Sequence, residues 1–167
     1  GLDLPKSIVA HGWWTNEGQK ISKSLGNVID PFNLVEEFGL DQVRYFLMRE
    51  VTFGNDGNFS KENLISRNNS ELANKIGNLL QRTSSFVFKH CNESVPPVLT
   101  SYIDDSYNTP LLLDILSIQQ QNIVAMEAFQ INKVLDNIIH ISEQANIYID
   151  KEAPWTLKNT DIVKMHQ

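Results

Sequence analysis

The sequence is poor in cysteine: Cys91 stands alone among 167 residues. That excludes an internal disulfide framework and a cysteine-rich zinc knuckle, and it suits a reducing compartment. No run of about eighteen apolar residues occurs, the length a helix needs to span a bilayer. The most apolar stretches, such as Ile138-Ile139-His140-Ile141, are broken by polar residues within a turn or two. Repeats and low-complexity tracts are missing. Gly1 is preceded by neither an initiator methionine nor a basic-then-apolar leader, so the chain is expected to be a piece of something longer. Positive charge is also short. The formal net charge of −6 argues against a surface that grips nucleic acid everywhere.

What is present is more specific. Hydrophobic residues make up 41% of the chain, enough for one core or two small ones. Charge is unevenly spread. Residues 1–57 carry five Lys/Arg against eight Asp/Glu, residues 93–167 carry four against ten, and residues 58–92 carry five against two. One short segment therefore holds all the basic excess.

Local signals divide the chain. Ser7 to Trp14 suits a strand entering a turn. Asp30-Pro31 reads as a cap and first helical residue with Gly39 as the stop, and Asp41 is expected to cap a second helix through Arg44–Met48. Thr52 to Asn58 is turn-rich, so a domain boundary is placed there, giving domains 1–57 and 58–167. From about Ser60 onward helical periodicity dominates. Leu72, Ile76, Leu79, Leu80, Phe86 and Val87 form one apolar stripe, and Ser94-Val95-Pro96-Pro97 ends that helix. Thr109-Pro110 opens another helix, Ile131 to Ala145 a third, and Ala153-Pro154-Trp155 interrupts the pattern before a short last element. The predicted fold is mainly α: a small α/β module followed by an antiparallel helical bundle.

Two places carry chemistry. Lys20-Ile21-Ser22-Lys23-Ser24 lies between Gly18 and Gly26-Asn27, ahead of a capped helix. Two lysines three apart, two hydroxyls and a glycine-flanked backbone are what a polyphosphate needs, though a solvated basic loop has the same composition. Alone, it decides nothing. On the helix beyond Leu72, at about 100° per residue, Lys75, Asn78, Arg82 and Lys89 gather on a face away from the apolar stripe. Asn78 and Arg82 are four apart and so adjacent, an amide beside a planar five-donor fork. Such a pair suits the base edges of an unstacked RNA loop, or simply a wet helix surface. His90 and His140 lack partners at ligand spacing and are assigned no metal.

Lys20–Ser24 resembles the KMSKS signature of class I aminoacyl-tRNA synthetases, with Ile21 in place of methionine. His11-Gly12-Trp13-Trp14, Leu25-Gly26-Asn27-Val28-Ile29-Asp30-Pro31, Gly39-Leu40-Asp41-Gln42-Val43-Arg44-Tyr45 and Phe53-Gly54-Asn55-Asp56-Gly57 are together similar to the methionyl branch of that class. The resemblance implies that residues 1–57 are a stem-contact module at the end of a catalytic region. It implies further that Lys23 is the main phosphate contact and Lys20 a second catalytic lysine, with Ser22 and Ser24 helping to bind ATP. Gly77-Asn78-Leu79-Leu80-Gln81-Arg82 and Ala153-Pro154-Trp155 resemble the family's anticodon helix and tryptophan. Asn78, Arg82 and Trp155 are then the contacts to a CAU anticodon, supported by Lys75 and Lys89.

The parent implied is a cytoplasmic ligase, with a mitochondrial matrix as the alternative, that uses ATP, Mg²⁺ and methionine to charge tRNA(Met). The piece itself is expected to be monomeric, to hold no bound cofactor and to be inactive without a Rossmann catalytic half. The competing readings are the corresponding piece of a valyl or cysteinyl enzyme, and a non-catalytic helical adaptor for RNA or protein.

Overall fold

The computed structural model describes residues 3–97, 109–157, 160, 161 and 165. Part of the acidic stretch Glu93–Asp105, from residue 98 onward, lies outside the described residues. The chain divides into two compact units, residues 1–68 with 125–135, and residues 69–124 with 136–167.

The first unit is built on a three-stranded sheet in the order β2-β1-β3, with β1 at Trp14–Asn16, β2 at Gln19–Lys20 and β3 at Gly57–Phe59. β1 and β2 form an antiparallel hairpin pairing Thr15 with Lys20. Glu17 and Gly18 turn it with φ of 50° and 76°, the left-handed pair that a two-residue hairpin turn requires. β3 pairs with β1 in parallel, Thr15 opposite Asn58. The turn-rich segment at 52–58 thus ends in a strand of this sheet, and the division between units falls at Asn68/Asn69 rather than at 57/58. The expected strand is displaced as well, since pairing begins only at Trp14 and residues 7–13 are not strand.

Helix α1, Pro31–Phe38, starts as its sequence dictates: the Asp30 carboxylate accepts from the Phe32 N–H at 2.8 Å. Gly39, with φ at 90°, ends α1 and also serves as the N-cap of α2, Leu40–Glu50. Asp41 therefore lies in the first turn of α2 and caps nothing, because a single glycine already joins the helices. Leu34, Val43, Phe46, Phe59 and Leu64 form the core of this unit, with Trp14 and Ile29 packed against it. Phe46 is fully buried and meets Phe59 edge to face at 5.8 Å.

Ser60 caps α3, Lys61–Arg67, by accepting from the Asn63 N–H. Over Asn68–Gly77 the helix widens to π-type bonding before α4, Asn78–His90. This resets the angular phase assumed from a uniform α-helix. Glu71 is buried and Leu80, expected on the core stripe, is 66% exposed. α4 ends at His90, short of the prolines, where Asn92 and Glu93 take left-handed φ. α5, Pro110–Glu127, and α6, Ile131–Glu152, follow, and α7, Pro154–Leu157, begins after Ala153 with φ at 42°. Within the second unit, Asn137 bonds Asn122 and His140 bonds Asp114, so the residue numbers run oppositely and α5 and α6 are antiparallel. α6 meets α4 in the opposite sense. Lys75–Glu143, Asn78–Asn146 and Arg82–Asp150 keep a constant separation of 68, so these two helical segments run in the same direction.

Candidate functional site

In the first unit, Lys20 closes β2 and the chain then turns through a short 3₁₀ segment, Lys23–Leu25. Two backbone bonds hold the turn, Leu25 N–H to the Ser22 carbonyl and Gly26 N–H to the Lys23 carbonyl, both 3.2 Å. Gly26 takes φ of 66° to leave it. Ile21 is half-buried, as an apolar anchor would be. The Ser22 and Ser24 hydroxyls lie 2.7 Å apart. Lys20 and Lys23 are exposed, and among the described residues neither has an acidic partner.

A network of asparagines that sequence reasoning passed over holds this loop. The Asn27 carboxamide accepts from the Ser22 N–H at 2.8 Å and donates to the Lys20 carbonyl at 3.0 Å. Asn16 donates to the Asn27 carbonyl at 2.9 Å, while the Asn58 side-chain oxygen accepts from Thr15 and from the Gly18 N–H. The separate segments His11–Trp14 and Phe53–Gly57 also come together. Gly57 N–H reaches the Trp13 carbonyl at 2.7 Å, and the Trp13 N–H reaches Asp56 at the same distance. A side chain at Gly12 would overlap the Asn55 carbonyl, so only glycine permits the approach.

In the second unit, Asn78 and Arg82 face α6. Both donate to one oxygen, Asn146 Oδ1, at 3.5 and 3.4 Å. Asn146 Nδ2 donates in turn to the Lys75 carbonyl at 3.2 Å and the Ser142 carbonyl at 2.9 Å, so both hydrogens of the amide are used and its oxygen must point at Asn78 and Arg82. Arg82 is also ion-paired with Asp150, and Lys75 with Glu143 at 2.6 Å. The basic face is thus partly neutralised by α6, which the count of charges along the sequence does not show. Lys89 is exposed with no acidic partner among the described residues.

Trp155 is 49% exposed. It lines an open cavity of about 540 Å³ together with Arg82, Phe86, Lys89, Cys91 and Tyr148. Pro154 and the bond from the Thr156 N–H to the Ala153 carbonyl fix its backbone. The half-exposed indole and Arg82 thus line one cavity, whereas Asn78 does not line it and shares the Asn146 oxygen with Arg82. Among the described residues, no three His, Cys, Asp or Glu side chains gather as a metal would need. His140 instead contacts Asp114 at 3.0 Å.

Residues 1–84, which include the lysine loop, Asn78 and Arg82, match the family model described as tRNA synthetases class I (M). The chain belongs to that family. A methionine–tRNA ligase of Rickettsia bellii is 65% identical over 164 residues, covering 98% of this chain and 32% of the relative. Its counterpart in Rhizobium meliloti is 44% identical over 165 residues, 99% of this chain and 31% of the relative. The solved Mycobacterium tuberculosis methionyl-tRNA synthetase in complex with methionyl-adenylate matches with a TM-score of 0.85 at 38% identity, over 99% of this chain and 33% of that one. The chain spans about a third of the length of the relatives it matches. None of these matches supports the valyl, cysteinyl or adaptor alternatives.

Proposed function

We propose that this chain is part of a methionine–tRNA ligase and carries its phosphate-stabilising loop and its anticodon-reading surface. The observation that carries the reading is the convergence of Arg82 and a half-exposed Trp155 on one open cavity, with Asn78 tied to Arg82 through Asn146. A flipped-out base would stack on the Trp155 indole, and the Asn78 amide and Arg82 fork would meet base edges of a CAU anticodon. Lys89 would contact phosphate at the rim. Lys75, held by Glu143, is the weakest candidate for an RNA contact.

In the complete ligase, a methionine carboxylate oxygen attacks the α-phosphorus of ATP, the bond to the bridging oxygen breaks, and pyrophosphate leaves. Lys23, exposed on its turn and with no acidic partner among the described residues, is suited to follow the charge growing on the departing phosphates, with Lys20, Ser22 and Ser24 as further donors. Mg²⁺ would accompany the nucleotide as counter-charge, and the described residues add no ligand cluster for it. With the catalytic half supplied by the rest of the ligase, this piece alone binds substrate parts and completes no reaction. The bacterial relatives favour a cytoplasmic enzyme over a mitochondrial one, and the reading requires only one copy of the chain.

The test is binding of anticodon stem-loops. The chain should prefer CAU over GAC and GCA. Trp155→Ala and Arg82→Ala should each weaken CAU binding, the former by about 1–3 kcal/mol, with helix content by circular dichroism unchanged. If both variants bind like the parent, the anticodon assignment fails.

A further inference from the structure

We propose that Asn27 is a positioning residue for the lysine loop: its carboxamide sets the backbone from which Lys20, Ser22 and Lys23 act. The inference rests on the reading of that loop as the phosphate-stabilising element and extends it to a residue outside the Lys20–Ser24 stretch.

The geometry calls for a primary amide. One side chain accepts from the Ser22 N–H at 2.8 Å and donates to the Lys20 carbonyl at 3.0 Å, so the two bonds bracket Ile21 from either side. An aspartate offers no donor for that carbonyl, and an aliphatic residue offers neither group. Asn27 is itself anchored, because the Asn16 side chain in β1 donates to its carbonyl at 2.9 Å. A relay thus runs from the sheet through Asn16 and Asn27 to both flanks of Ile21. Beyond it, the turn bearing Lys23 is closed on itself by two backbone bonds of 3.2 Å and by the Ser22–Ser24 hydroxyl contact at 2.7 Å. Those contacts close a short 3₁₀ turn without tying it to the sheet, and the Asn27 amide, through Asn16, makes that link. Holding a charged group in place before the reaction is what makes its attraction to developing charge effective.

The experiment uses the full-length ligase carrying this sequence, with Asn27→Ala, Asn27→Asp and Lys23→Ala compared with the parent. The readouts are ATP–pyrophosphate exchange, thermal unfolding, and hydrogen exchange of the peptide covering residues 20–26. Asn27→Ala should lower kcat on the order of tenfold while KM for methionine is unchanged, since a misplaced group costs turnover more than binding of the other substrate. Backbone exchange over residues 20–26 should accelerate, and that over residues 14–16 should not. Should Asn27→Ala not fold, Asn27→Asp decides, because it keeps the size and the acceptor and lacks the donor; it should show the same loss of kcat and the same faster exchange. A kcat within twofold of the parent, or unchanged exchange over residues 20–26, overturns the proposal when Lys23→Ala is impaired. Parent-like exchange activity in Lys23→Ala would instead overturn the reading of the loop on which the proposal rests.

Discussion

The two candidate sites use cations in opposite ways. In the first unit, Lys20 and Lys23 stand in solvent with no acidic partner among the described residues, on a turn held by a neutral amide. In the second, Arg82 and Lys75 are already paired with Asp150 and Glu143 of α6. An unpaired lysine is free to follow charge that appears only during a reaction. A paired arginine is fixed in direction, and on the proposed reading an incoming base would compete with the carboxylate for the guanidinium. On the proposed reading, the contrast is that between a group that responds and a surface that discriminates.

That contrast can be broken at several points. The largest effect should come from Lys23→Ala in the full-length ligase: adenylate formation falling about 10²–10³-fold in kcat, with a smaller change in KM, as removal of one charge-stabilising donor does elsewhere. A loss confined to KM would show that the lysine merely holds ATP. Next, Asp150→Ala should release Arg82 and raise affinity for a CAU stem-loop, and for mismatched ones still more. Because the carboxylate is well exposed, the change should not exceed about fivefold. Weakened binding would instead mean that Asp150 aims the guanidinium. The smallest effects concern the rim. Lys89→Ala should reduce the slope of log affinity against log salt by about one, and Lys75→Ala by less, since Glu143 already compensates its charge. Equal slopes for the two variants would sink the distinction between paired and unpaired cations.

Much of the helical framework was legible because its signals are local. Asp30-Pro31, Gly39, Ser60 and Thr109-Pro110 bound the helices where their side chains and dihedrals require. The sheet was less legible. Strands of two or three residues are too short for alternation to stand out in a sequence, even though β3 alternates buried, exposed, buried, and the pairing of Trp14 with Gly57 joins segments far apart in sequence, with Trp14 packed against Phe46. The π-type stretch at Asn68–Gly77 escaped a reading that assumes constant turn per residue, and with it the exposure of Leu80. At the candidate sites, residue types and spacing singled out the Lys20–Ser24 loop and the Asn78–Arg82 pair, and the family resemblance added the proposed roles of Lys23 and Trp155. The supporting residues Asn27, Asn146, Asp150 and Glu143 stayed hidden, because an asparagine or a helical acid becomes informative only once its partner is known.

The parallel seam that α6 makes with α4 and the π-type stretch before it makes chain length a constraint of its own. Its three polar links recur at intervals of three and four residues on both helices, always with the same offset of 68. One residue added inside α6 between Glu143 and Asn146 would swing everything beyond it by about 100°, removing Asn146 and Asp150 from the seam together while Glu143 stayed. Adding a whole turn would bring the face back but one rung out of step, offering Arg82 and Asn78 to the wrong neighbours. Within this seam a substitution dims one link, whereas an insertion or deletion unzips it.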